Sequence, residues 1–278
     1  MKNLYDNVLQ FKGKWRDYQD RVLQNSQKYL ADGKLHIVAA PGSGKTTLGI
    51  ELLRRLGEPC LILSPSITIR QQWLERITEG FLLPGREPEE LLSNDLRHMK
   101  CITAITYQAL YSAMKHYQGQ LSDGDDESEE DERESEAVDF RDFDIFDAVK
   151  AAGIKTICLD EAHHLRSEWW KALEAFMKEL AGVTVIALTA TPPYDSTPGQ
   201  WKRYIDLCGP IDEEIFTPEL VREGSLCPHE DYIYFNWPSR EELAEIEAYQ
   251  KKEREIWEKL LTGSRFTEMI ATHRGLRN

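Results

Sequence analysis

Apolar positions along the chain fall into two alternating rhythms. Short, nearly continuous apolar runs occur at 35–39, 60–63, 101–105, 156–159 and 183–188. Runs of that length and density predict strands covered on both faces. Between them, apolar residues recur with helical spacing over 45–56, 67–80, 107–118 and 167–181. Strand and helix in alternation predict an α/β fold, a doubly wound and mostly parallel sheet with helices on both faces. Ligands of such sheets gather at the carboxyl ends of the strands, so the residues that follow each run are where chemistry is expected.

The rhythm ends near residue 207. Past it, 231–235 reads as one more strand. Ser239-Arg240-Glu241-Glu242 is a capping box, so a long helix is expected to start there. Leu243, Ile246, Tyr249, Ile256, Trp257, Leu260 and Leu261 form its apolar stripe, and Gly263 is its expected stop. The stripe suits packing on a neighbouring domain.

Composition changes this picture in three places. With 41% hydrophobic residues the chain can bury a substantial core. The net charge of −14 argues against an anionic partner, but it is local. Residues 122–147 hold fourteen acids and two bases, a net of −12 that leaves the rest close to neutral. The acidic stretch 122–142 cannot pack a core and reads as a solvated insertion. The five cysteines include no CxxC pair. They read as small buried hydrophobes in a reducing compartment rather than as disulfides or zinc ligands. No apolar run reaches membrane-spanning length and no apolar signal region follows the N-terminus. The expected location is intracellular, in the cytoplasm, with no membrane partner.

Two segments carry chemistry. Ala39-Ala40-Pro41-Gly42-Ser43-Gly44-Lys45-Thr46-Thr47 leaves a predicted strand and opens a predicted helix, the setting of a phosphate-binding loop. Gly42 and Gly44 let the backbone wrap phosphate closely. Successive N–H groups around Pro41, Ser43 and Thr47 and the helix N-terminus supply fixed positive potential. Lys45 adds a point charge for the β- and γ-phosphates, and the Thr46 hydroxyl is placed to ligand Mg²⁺. The implied ligands are ATP and Mg²⁺. Ala39 stands where the general pattern has Gly. The second segment, Asp160-Glu161-Ala162-His163, ends another predicted strand. Asp160 is suited to hold the metal, and Glu161 to orient and deprotonate an attacking water.

A GKT loop followed by Asp-Glu-Ala-His resembles the superfamily 2 DEAD/DEAH-box helicases, within them the branch of XPB-like helicases and the helicase subunits of type III restriction enzymes. Further segments agree in order: Trp15 to Gln19, Ser64 to Trp73, Thr103 to Leu110, and Leu188-Thr189-Ala190-Thr191-Pro192-Pro193. The resemblance covers about 11–195. It implies a RecA-like P-loop NTPase domain over 1–206, with 207–278 a helical C-terminal extension leading toward a second RecA-like domain. It implies that Arg16 and Gln19 read the adenine. His163, Thr189 and Thr191 would couple hydrolysis to movement, with His163 bridging by hydrogen bonds. Pro65, Ser66, Arg70, Thr106, Tyr107 and Gln108 would touch a nucleic-acid backbone without reading sequence. An alternative reading of Thr68 to Trp73 is a helix start with core packing. Trp169 and Trp170, on the helix after the acidic motif, read as core or interface packing in preference to base stacking.

The implied function is an ATP-dependent helicase or translocase motor domain acting on nucleic acid, with single- or double-stranded DNA favoured. A second RecA-like domain or subunit would supply an arginine finger, and the chain by itself is expected to bind Mg-ATP weakly and turn it over slowly. The rival is a nucleotide-gated DNA-binding subunit of a restriction or defence assembly with no unwinding of its own. A kinase or GTPase would leave the acidic and Thr-Ala-Thr segments unexplained.

Overall fold

The computed structural model describes residues 3–117, 140, 143–165, 167–180, 182–228 and 236–262. The acidic stretch, save Phe140, the expected strand at 231–235 and the expected helix stop at Gly263 lie outside them. Two compact units divide at Pro228.

The first unit runs α1 (Asp17–Tyr29), β1 (Lys34–Ala39), α2 (Lys45–Leu56), β2 (Cys60–Ser64), α3 (Ile67–Gly80), α4 (Pro88–Leu91), β3 (Leu92–Ser93), β4 (Ile102–Thr106) and α5 (Tyr107–Tyr117). It continues with α6 (Ile145–Ala152), β5 (Thr156–Asp160), α7 (Ser167–Glu179), β6 (Thr184–Thr189), α8 (Pro198–Cys208), β7 (Ile211–Ile215) and α9 (Thr217–Arg222). The strands form one sheet in the order β3-β4-β2-β5-β6-β1-β7, and every ladder in it is parallel.

Both sheet faces are buried, which is why the strands read as continuous apolar runs. Alternate residues serve opposite cores. Cys158, Ile186 and Leu188 face the core built with α1, α2 and α3. Ile157, Leu159, Val185 and Ala187 face the one built with α5, α6, α7 and α8. Helix α2 lies very close to the sheet. A Cβ on Gly49 would come within 2.6 Å of both Leu188 and Trp73, so nothing larger than hydrogen fits there without displacement.

The rhythm does not end at 207, as expected from the sequence. β7 adds a seventh strand beside β1, with Val38 opposite Glu214 and Ala39 opposite Ile215. Its sequence Ile-Asp-Glu-Glu-Ile hides it, because edge strands tolerate charge that inner ones do not. Buried Glu213 is held by Arg21 at 2.8 Å and Asn25 at 2.8 Å, both from α1. Among the described residues no helix is long and apolar enough to cross a membrane.

His36 makes the sheet sensitive to acid. Its ring is fully buried, with Nδ1 against the Gly209 carbonyl at 3.0 Å and Nε2 against the Tyr204 hydroxyl at 2.9 Å. Burial pushes its pKa below the ordinary imidazole value, partly opposed by the Gly209 carbonyl. The unfolded chain therefore takes up a proton below about pH 6.5 that the folded chain refuses, and stability falls as pH drops from there, by up to about 1.4 kcal/mol per pH unit. Urea unfolding between about pH 7.5 and 5 should show that slope, and His36→Gln should flatten it. An unchanged slope in the variant would remove His36 as its source.

The second unit contributes α10 (Arg240–Thr262). Its capping box forms as read: Glu242 Oε2 accepts the Ser239 N–H at 2.7 Å, and Ser239 Oγ accepts the Glu242 N–H at 3.2 Å.

Candidate ATP site and its coupling network

The sheet order assembles the site. β5, β6 and β1 are neighbours, so the loops that follow them lie side by side although Lys45, Asp160 and Thr189 are far apart in sequence. These are the phosphate loop, the acidic pair and the Thr-Ala-Thr segment.

The phosphate loop is a cradle that only glycine permits at two points. Gly42 and Gly44 have φ of 81° and 82°, in the left-handed region. A Cβ on Gly42 would sit 2.8 Å from the Leu226 side chain, and one on Gly44 2.7 Å from Gln19 Nε2. Ser43 Oγ is buried with no hydrogen-bond partner among the described residues. Lys45, Thr46 and Thr47 open α2, so its N-terminal N–H groups face the loop. A polyphosphate fits this set of backbone donors, orphaned hydroxyl and ammonium.

The N-terminus of α1 braces the loop from behind. Gln19 is 4% exposed. Its amide oxygen accepts the Arg16 N–H at 3.2 Å and its nitrogen donates to the Ser43 carbonyl at 3.0 Å. Tyr18, given no role from the sequence, donates to the same carbonyl at 3.1 Å. Arg16 donates to the Tyr18 hydroxyl at 2.6 Å and the Gly42 carbonyl at 3.3 Å, and it remains exposed.

Lys45 Nζ donates to the Ala39 carbonyl at 3.1 Å and pairs with Glu161 Oε1 at 2.8 Å. Glu161 has a left-handed backbone, φ 51°, a conformation that costs a non-glycine residue about 1–3 kcal/mol. Its Oε2 accepts the Thr189 hydroxyl and the Ala190 N–H, each at 2.9 Å. Burial alone would raise its pKa, but the Lys45 ammonium, the Ala190 N–H and the Thr189 hydroxyl outweigh that and hold it below the usual carboxylate value. Glu161 is thus a fixed, ionised base.

Asp160 is set differently. It is 5% exposed, and burial pushes its pKa up to about 6, against the opposing Trp73 hydrogen bond and helped by the Glu161 charge. The fully buried Trp73 indole donates to Oδ2 at 2.7 Å. A desolvated carboxylate beside another is a strong demand for a cation, so Asp160 with Thr46 fits Mg²⁺. Trp73 lies in the core, as the alternative reading of Thr68 to Trp73 has it, but nothing in its spacing announces the contact with Asp160.

His163 joins the acidic segment to the threonines. Thr189 Oγ1 lies 2.7 Å from Nδ1 and Thr191 Oγ1 lies 2.9 Å from Nε2. Because Thr189 donates its proton to Glu161, Nδ1 carries the hydrogen given to Thr189, and in the neutral ring Nε2 accepts from Thr191. The hydrogen bonds thus run in one direction, from Thr191 through His163 and Thr189 to Glu161. The bridge expected of His163 has this geometry.

Three of the six residues read as a nucleic-acid face are buried. Tyr107 is 1% exposed and its hydroxyl donates to the Asp160 carbonyl at 3.1 Å, so its side chain steadies the acidic strand. Arg70 and Thr106 are 6% and 8% exposed, and the Thr106 hydroxyl accepts the Ala109 N–H at 3.1 Å. Pro65, Ser66 and Gln108 remain partly exposed, with Ser66 capping α3 through the Ile69 N–H at 3.3 Å. The family resemblance locates these segments in the fold but does not say which of their side chains turn inward.

Comparison with known proteins gives a concordant picture. A family model described as "Type III restriction enzyme, res subunit" matches residues 12–194. The DNA 3'-5' translocase XPB2 of Sulfurisphaera tokodaii is 25% identical over 197 residues, which are 70% of this chain and 34% of that protein. The chain thus spans about a third of that relative's length. Among solved structures, the Pyrococcus furiosus Hef helicase domain aligns with TM-score 0.46 at 18% identity, over 77% of this chain and 41% of that one. The UvsW helicase from bacteriophage T4 aligns with TM-score 0.49 at 11% identity, over 74% and 63%.

Proposed function

Because the chain belongs to the family of type III restriction enzyme res subunits, we propose that it is the first motor domain of an ATP-dependent DNA helicase or translocase. The observation that carries this reading is the single hydrogen-bonded path from Lys45 to Glu161, Thr189, His163 and Thr191. It links the group that holds phosphate, the group that activates water and the segment that would report the outcome.

Backbone N–H groups of the loop and Lys45 hold the β- and γ-phosphates. Thr46 and Asp160 would hold Mg²⁺, which would supply charge neutralisation on the transferring phosphate. Arg16, exposed beside the loop, would meet the adenine, and Gln19, whose amide is engaged by Arg16 and Ser43, would set the loop behind it. Glu161 takes the proton of the attacking water. A polyphosphate in the loop competes with Glu161 for Lys45, so its arrival loosens the 2.8 Å ion pair and turns Glu161 Oε1 toward water. Movement at Glu161 is felt by Thr189 and His163, which couples chemistry to the strand-end loops. DNA is the favoured polymer because the curated relative is a DNA translocase. Pro65, Ser66 and Gln108 are the residues left to meet its backbone. A second RecA-like domain or subunit would face Lys45 with an arginine finger, worth about 10³–10⁵ in rate, and residues past Pro228, where the first unit ends, would lead toward it.

The test is ATP turnover by this 278-residue chain alone and with single-stranded DNA, duplex DNA or RNA. Slow basal turnover, stimulated by DNA and absent in Lys45→Ala, is expected. Fast unstimulated turnover would refute the need for a second domain, and stimulation by RNA alone would overturn the choice of DNA.

A further inference from the structure

We propose that the cavity between α7 and α8 is a second nucleotide-recognising site, taking a heteroaromatic base with an attached anionic group, and that its occupant bears on His163. The cavity holds about 480 Å³, within the range of small-molecule sites. No phosphate-loop residue lines it.

Three features of its wall specify the ligand. Trp170 is partly exposed in the lining and can offer its indole to a flat ring, while Tyr204, 2% exposed, lies behind it with the two rings 6.3 Å apart and inclined by 30°. Ser196 Oγ is shielded from solvent and has no hydrogen-bond partner among the described residues. A buried hydroxyl wants a partner, and the edge of a base offers one. Lys171 and Arg203 bring cations to the lining. Both sit in exposed ion pairs, with Glu168 at 2.8 Å and Glu174 at 2.9 Å. Exposed pairs of this kind are weak, so a phosphate can take their place. Ring surface, polar edge and cations together match base, base edge and phosphate.

The remaining wall gives the site a consequence. His163 lines the cavity while both its ring nitrogens are engaged by Thr189 and Thr191. An occupant touching the imidazole stands two hydrogen bonds from Glu161. The site therefore lies beyond the ATP cleft yet reports to it. The ligand chemistry is shared by an unstacked nucleotide of a bound strand and by a free mononucleotide.

Photocrosslinking of the full chain separates these sources. The probes are a short single-stranded oligonucleotide carrying 5-iododeoxyuridine and the free 5-iododeoxyuridine monophosphate, with the adduct mapped by tandem mass spectrometry. Adducts on Trp170 are expected. They should persist in Lys45→Ala and fall about tenfold in Arg203→Gln as the charge-assisted contact is lost. Adducts from the oligonucleotide assign the pocket to a strand; adducts from the monophosphate alone assign it to a free nucleotide. Adducts confined to other parts of the chain would overturn the pocket and leave DNA binding standing. No adduct anywhere would overturn both.

Discussion

Glutamine at position 161 is expected to leave ATP binding intact and to lower turnover by about 10²–10⁴-fold, the usual worth of a positioned general base. The substitution is isosteric. It keeps an oxygen for the Thr189 hydroxyl and the Ala190 N–H, both 2.9 Å away in the wild-type chain, so the loop after β6 should not move. The amide cannot accept a proton from water. The carboxylate is ionised across the working range because its partners hold its pKa below the usual value. Fluorescent-nucleotide titration beside phosphate release separates the two functions. Turnover equal to wild type would remove Glu161 from its role, and joint loss of binding would mean that its pairing with Lys45 serves architecture alone.

Alanine at position 45 is expected to fail one step earlier. The ammonium is the one side-chain cation the structure brings to the phosphate loop from within it, and it bridges the Ala39 carbonyl and Glu161. Its removal takes away a preorganised charge of the kind that is typically worth about 10²–10³ and leaves the Glu161 anion, 20% exposed, without its counter-charge. ATP affinity should drop below detection in the same titration, with a thermal melt to show that the sheet is intact. Retained affinity would place phosphate recognition in the backbone donors alone.

Much of this was legible in the sequence, for identifiable reasons. Strands buried on both faces leave dense apolar runs, and the runs near 60, 102, 156 and 184 begin β2, β4, β5 and β6 within a residue or so. The helices at 45–56 and 67–80 end where read, the first at Gly57 in the left-handed conformation of a helix stop. The Gly-rich loop and the acidic pair announce themselves because their chemistry demands particular residues. What stayed hidden depends on three-dimensional neighbours. The strand at 211–215 is masked by three acids whose partners come from elsewhere in the fold: Glu213 is held by α1, Asp212 accepts the His36 N–H of β1, and Glu214 accepts the Tyr194 hydroxyl. The indole on Asp160 comes from a helix 87 residues away in sequence. Tyr107 was misread because a hydroxyl that bonds an inner carbonyl looks, in one dimension, like a hydroxyl offered to phosphate.

The seventh strand has a practical bearing on how this chain is trimmed. A fragment cut at 194, where the family match stops, or at 206, where the apolar rhythm fades, strips β7 from β1. The strand that carries the phosphate loop would then become the sheet's rim, with its row of amides and carbonyls bare. Leu226, which rests on Gly42, would be gone as well. Bare rims recruit other strands, so such a fragment should clump where the chain to Pro228 stays dispersed, and an inactive short version would testify to a frayed sheet rather than to a missing catalyst.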